Sequence, residues 1–150
     1  MKFNFNNIGK SFLLILILLL VIYINISIFI SGPNQKYNHN IMVVMDKIET
    51  SYKGINALNR HAFAYVTYVG KYKQQIMWFD ENGDPIMKRK DSTYDEEKAL
   101  SIAINDYKFS KPKLTLGYGK KNGVYVIKED NRELYLDYDK LTKVFYREGL

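Results

Sequence analysis

Apolar and polar positions alternate along the chain with three different periods. From Phe12 to Ile30 there is no alternation: FLLILILLLVIYINISIFI is 19 residues without a charge. At 1.5 Å per residue a helix of that length spans roughly 28 Å, close to the thickness of a bilayer core. A buried helix of a soluble domain would show a polar stripe, and Leu13 to Ile22 shows none. A cleaved signal peptide has a shorter apolar core and a small-x-small exit. Here the core is long and the exit reads Ser27-Ile28-Phe29-Ile30-Ser31-Gly32, which favours an uncleaved anchor. The polar stretch after it, with Gly32-Pro33, predicts a break and a linker short enough to keep the globular region near the membrane surface.

The second period is helical. Ile41, Val44, Met45, Ile48, Tyr52 and Ile55 fall on one face, which predicts a helix over 41–58. The third is a period of two. Phe63 to Val69 reads as a strand, Gly70 to Lys73 as a turn, and Gln75 to Asp80 as the hairpin partner. Glu81-Asn82-Gly83-Asp84 is a turn signal, and Pro85 to Lys88 a short strand suited to an edge. The helical period then returns. Thr93-x-x-Glu96 has the form of a capping box, and Ala99, Leu100, Ala103, Ile104 and Tyr107 mark an apolar face on a helix over 95–107. Strands come next at Lys113 to Tyr118, Val124 to Lys128, Glu133 to Tyr138 and Thr142 to Tyr146. Alternation places Val124 and Val126 in the core with Leu114, Leu116, Leu134, Leu136 and Tyr138. It points Tyr125, Ile127 and Tyr135 to the opposite face, closed by the first unit or left as a docking surface.

The expected fold class is therefore α+β: two small units, each a helix on an antiparallel sheet, behind one transmembrane helix. The two units match at a shift of 49, which pairs Val69-Gly70-Lys71 with Tyr118-Gly119-Lys120 and Asp80-Glu81-Asn82 with Glu129-Asp130-Asn131. The predicted organisation is a cytoplasmic tail over 1–11, a transmembrane helix over 12–30, a linker over 31–40, a first repeat over 41–90 and a second over 91–150.

Charge sets the orientation. Lys2 and Lys10 precede the apolar run with no acid beside them, and the first charge beyond it is Lys36, so the N-terminus is expected in the cytoplasm. The remaining twenty Lys and Arg outnumber sixteen acids, in clusters at Lys88-Arg89-Lys90, Lys111 with Lys113, and Lys120-Lys121. Outside a membrane such clusters meet lipid headgroups and anionic wall polymers rather than nucleic acid; on strand edges they also discourage sheet-to-sheet pairing.

No motif for catalysis or for a cofactor emerges. There is no cysteine. His39 and His61 lack partners at ligand spacing and read as surface or linker histidines. Asp80, Asn82 and Asp84 imitate the first positions of a calcium loop, but Pro85 occupies the place of its glycine and Asp91 that of its final glutamate, so a hairpin turn is the better reading. Thirteen tyrosines and Trp78 are the unusual feature. Of these, Trp78, Tyr125 and Tyr135 are the candidates for a partner-binding surface.

In its order of elements the chain resembles PepSY-type domains. The tandem arrangement behind one anchor is similar to that of the TseB-like cell-wall elongation regulators of Gram-positive bacteria. The pieces that carry the resemblance are the anchor, Asp80-Glu81-Asn82-Gly83-Asp84-Pro85-Ile86, and Tyr135-Leu136-Asp137-Tyr138-Asp139-Lys140-Leu141-Thr142-Lys143-Val144. Family members usually show a Thr-Gly turn where this chain has Thr142-Lys143. The resemblance implies a non-catalytic, extracytoplasmic regulator that contacts a penicillin-binding protein. PepSY-type domains also occur in protease propeptides, which implies the alternative of a binding or inhibitory module for an extracytoplasmic peptidase.

Overall fold

The computed structural model describes the backbone of residues 5–27 and 32–149, with side chains over 9–27 and 37–149. The chain divides into two compact units, Met1–Val43 and Val44–Leu150.

The first unit holds helix α1, Phe5–Ile26. Among the described residues, Gly9–Ile26 is the one stretch long and apolar enough to cross a membrane, with mean hydropathy 2.4 and none of it buried against protein. The helix begins inside the expected tail. The last residues of the expected span, 28–30, lie outside the described residues.

Helix α2 runs from Gly32 to Ser51, so residues 32–40 are helical rather than a linker. Pro33 sits in the first turn, where its missing N–H would have had no partner in any case, so Gly-Pro starts a helix here instead of ending one. Gly54, at φ 90°, turns the chain out of the helix. The helix predicted to reach residue 58 therefore stops earlier, and Asn56–Ala62 form strand β1. That strand has no apolar alternation and carries no signal in sequence. It is held by its pairing with β2, Val66–Tyr72. The expected strand from Phe63 starts only at Val66, and the expected turn at Gly70 falls at Lys73 and Gln74. Strands β3, Gln75–Phe79, and β4, Pro85–Lys90, complete a four-stranded antiparallel sheet in the order β1-β2-β3-β4.

A short 3-10 turn leads to α3, Glu96–Tyr107. Its N-cap is Asp95, whose carboxylate accepts from the Lys98 amide at 3.0 Å. The box expected from Thr93 does not form; the Thr93 hydroxyl donates to the Lys90 carbonyl at 2.7 Å. Strands β5, Lys113–Tyr118, β6, Gly123–Glu129, β7, Arg132–Asp137, and β8, Lys143–Glu148, make the second antiparallel sheet.

Among the described residues the fold is thus α+β with three helices and two four-stranded sheets, and the second unit holds the end of α2 followed by four strands, then α3 followed by four strands. The internal match is at a shift of 57, not 49. It carries Asn56 to Lys113, Val66 to Gly123 and Gln75 to Arg132, the first residues of three strand pairs. The same shift carries the left-handed turn residue Lys73 to Asp130 and the bulge after Trp78 to the bulge after Tyr135. It also carries Asp80 to Asp137. Each of these carboxylates caps the turn that comes after it, Asp80 accepting from the amides of Asn82 and Asp84, and Asp137 from those of Asp139 and Lys140. Short matches of Gly-Lys and Asp-Asn led to the wrong shift because turn residues recur in every hairpin.

Register corrects the expected core of the second sheet. Leu116 lies opposite Tyr125, Ile127 opposite Leu134, and Tyr125 opposite Leu136. Residues directly opposite in an antiparallel pair share a face. Tyr125 and Ile127 are therefore on the α3-covered face with Leu116, Leu134 and Leu136, and join Ala99 and Ala103 in the main core. Val124 and Val126 lie on the other face, with Tyr135. On α3 itself only Ala99 and Ala103 are fully buried; Leu100 is half-buried and Ile104 exposed.

Candidate functional site

The three aromatic candidates do not form a surface. Trp78 and Tyr125 have no exposed area and Tyr135 has 3%. They also occupy two faces, Trp78 and Tyr125 in the main core and Tyr135 in the cluster on the opposite side of the second sheet. Their use is structural. The Trp78 indole N–H donates to the Gly117 carbonyl at 2.7 Å and joins the two repeats. Its ring meets Tyr138 edge-on at 5.1 Å, and Tyr138 stacks on Tyr125 at 5.1 Å with planes 4° apart. Tyr94 stacks on the Tyr125 ring at 5.8 Å. The Tyr125 hydroxyl accepts from the Asp95 amide at 2.9 Å, so this column also fixes the start of α3. Burial raises the hydroxyl pKa of Tyr125, and that of Tyr138 to about 12, so both remain protonated at physiological pH.

Two glycines let the repeats close. A Cβ on Gly123 would lie 2.8 Å from the Trp78 ring, and one on Gly117 would lie 2.4 Å from the His61 ring. Strand alternation points these positions to opposite faces of the second sheet, so the first repeat grips it from both sides. His61 is accordingly buried, which corrects its reading as a surface residue. It packs edge-on against Tyr135 at 5.6 Å. Phe63 lies 4.6 Å from the same tyrosine. Neither ring nitrogen of His61 has a hydrogen-bond partner among the described residues. Burial, then Lys128 and Arg60, lowers its pKa below 6.5, against an opposing pull from Glu133. His39 is exposed on α2.

The open surface lies elsewhere. A groove of about 610 Å³ runs along β4, lined by Tyr52, Tyr72, Gln75, Met77 and the strand itself from Pro85 to Arg89. A second groove shares Tyr72 and Gln75 and adds Lys73, Lys90 and Asp91, whose carboxylate is paired with Lys71 at 3.0 Å. The two make one trough on the face of the first sheet that α2 covers only in part. Ile48 is the fully buried residue among the described side chains of α2, and Tyr52, just past its end, packs on Tyr72 at 5.4 Å and on Phe79 at 5.2 Å. Of the basic cluster on β4, Arg89 is engaged, with two hydrogen bonds to the Asp139 carboxylate at 3.0 and 2.8 Å. Lys88 and Lys90 are exposed and make no ion pair among the described residues. The sequence singled out the basic cluster but not the trough, because Tyr52 reads as part of a helix face, Tyr72 as part of a turn and Met77 as one position of a strand.

Comparison of the chain with protein-family models, with curated proteins and with solved structures finds no match. What the site can do therefore rests on its geometry. The Asp80 carboxylate is spent on two backbone amides, and Asp84 is paired with Lys47 at 3.0 Å. Among the described residues no group of three or more His, Asp or Glu converges as a metal set would. The trough offers cationic ammonium groups, an aromatic wall and an apolar floor, which suit recognition of an anionic partner by contact.

Proposed function

We propose that this chain is a membrane-anchored, extracytoplasmic interaction module that regulates cell-wall (peptidoglycan) synthesis by contacting a penicillin-binding protein. It acts by contact rather than chemistry. The observation that carries the reading is the order of its parts: an apolar helix, then helix and four-stranded sheet, then helix and four-stranded sheet. This order supports the resemblance to the TseB-like regulators, from which the reading is taken. The N-terminus faces the cytoplasm, as the charge asymmetry of Lys2 and Lys10 favours. An anchor holds the module at the membrane and raises its effective concentration toward another membrane protein, so that a weak interface is occupied.

The test is a crosslinking pull-down from native membranes with the full-length chain. Enrichment of a penicillin-binding protein is expected. Enrichment of an extracytoplasmic peptidase instead would replace this reading with that of a peptidase-binding module.

A further inference from the structure

The internal repeat shows what the trough lacks. Lys88 lies opposite Met77 on β3, as Tyr146 lies opposite Leu134 on β7, and Met77 and Leu134 are 57 residues apart. Lys88 and Tyr146 are thus counterparts. In the second repeat Tyr146 packs on Tyr107, the last residue of α3, with ring centroids 5.0 Å apart. In the first repeat Tyr52, just past the end of α2, has no such ring on β4. A flexible lysine stands there, and the place is open.

The edge of β4 has its own polarity. The Asp91 amide donates to the Gln74 carbonyl at 2.9 Å, in register with the pairing of Lys90 with Gln75. Backbone groups alternate along an antiparallel strand, so those of Lys88 and Lys90 point away from β3. Their carbonyls are already engaged: Lys88 accepts from the Arg89 guanidinium at 3.1 Å, and Lys90 from the Thr93 hydroxyl at 2.7 Å. What remains outward is the donors, two amides and two ammonium groups.

We propose that this trough binds an acidic, extended segment of a partner protein, whose carboxylates meet Lys88 and Lys90 and whose apolar side chain fills the place that Tyr146 fills in the second repeat. An edge whose donors outnumber its unengaged carbonyls favours carboxylates over a neutral strand, which needs both. The apolar floor of Met77 and Ile86 beside Tyr52 selects a peptide over a polyol phosphate, which has nothing to bury there. The inference rests on the interaction-module reading for the partner being a protein.

The experiment places a photo-reactive benzoylphenylalanine in the full-length chain in native membranes, at Gln75 in the trough or, separately, at Tyr65 or Ile104 outside it. The crosslinked peptide is then mapped by mass spectrometry. A product from Gln75 that maps to a partner segment of net negative charge is expected. It should fall on the order of tenfold in the Lys88→Glu, Lys90→Glu double variant. Both positions are exposed, and an unchanged melting temperature shows that the variant is folded. A Gln75 product on a neutral or basic segment, on a wall polymer, on lipid or on a second copy of this chain overturns the proposal. So does a product indifferent to the double variant. Protein products from Tyr65 or Ile104 with none from Gln75 remove the trough and leave the module reading standing. No protein product from any of the three positions removes both.

Discussion

At the scale of residues, His61 is the side chain with most to lose from a change of conditions. The unfolded chain takes up a proton at this ring near its ordinary value of 6.5, and the folded chain only at lower pH. Between the two values the unfolded state binds more protons, so stability from this group is complete above pH 6.5 and declines as pH falls. Melting curves of the wild type should shift down as pH drops below 6.5. His61→Gln should flatten that part of the profile, and an unaltered slope in the variant would assign the effect to other groups. Gly123 is the second sensitive position. A Cβ there would lie 2.8 Å from the Trp78 ring, which is tied to Gly117, and 2.8 Å from the end of Met87. Gly123→Ala should cost about 1–3 kcal/mol, the usual range for overpacking. Trp78 is the only tryptophan, so its emission reports this joint directly. The variant should unfold at lower denaturant concentration, with emission already red-shifted in the native baseline.

At the scale of elements, the start of α3 is the most determined feature. Asp95 caps the helix with its carboxylate and donates its own amide to Tyr125, while Glu96 and Glu97 lie in the first turn, where the helix dipole favours acids. Asp95→Ala should destabilise by roughly 0.5–2 kcal/mol, the range for loss of an N-cap. Thr93→Ala tests the rival cap implied by the sequence motif. It removes the bond to Lys90 and the contact with the Tyr138 hydroxyl but leaves the Lys98 amide capped. If helix content falls in Thr93→Ala and not in Asp95→Ala, as read by circular dichroism, the capping assignment is reversed.

At the scale of the whole molecule, the two repeats share one hydrophobic core. Val69, Ile76 and Trp78 of the first sheet share a core with Ala99, Tyr125 and Leu134 of the second repeat. Each such large side chain contributes roughly 1.5–3 kcal/mol when buried. Exposing three of them would remove most of a net stability that is on the order of 5–15 kcal/mol for a whole domain. A fragment ending after the first repeat should therefore fail to give a cooperative melt, whereas residues 41–150 should give one transition. Two separate transitions would mean that the shared core is energetically minor. The apolar helix makes a prediction of its own. The intact chain should fractionate with membranes, and external protease should remove the region after α1 from intact cells while sparing the N-terminal tail. A soluble form starting beyond Ser31 would instead indicate a cleaved signal.

Local periodicity by itself determined the elements whose partners are close in sequence: the apolar helix, α3, and hairpins such as Lys113 to Glu129. These need only a repeating pattern and a turn residue, both visible within a dozen positions. It also marked two stretches in which a helix is followed by strands. The bounds of α2 follow from local residues that outweigh the helical spacing, Pro33 in its first turn and Gly54 at φ 90° beyond its end. Tertiary structure alone decided three further matters. It made Asn56–Ala62 a strand, although asparagine and alanine carry little strand preference. It set the shift between repeats at 57 by aligning bulges and capped turns rather than letters. Above all it fixed register, which moved Tyr125 to the helix-covered face and put Trp78 and His61 between the repeats. A one-residue change of register exchanges the two faces of a strand. An aromatic residue can therefore be assigned to a strand from its neighbours in sequence, but its assignment to core or surface depends on which residue lies opposite it.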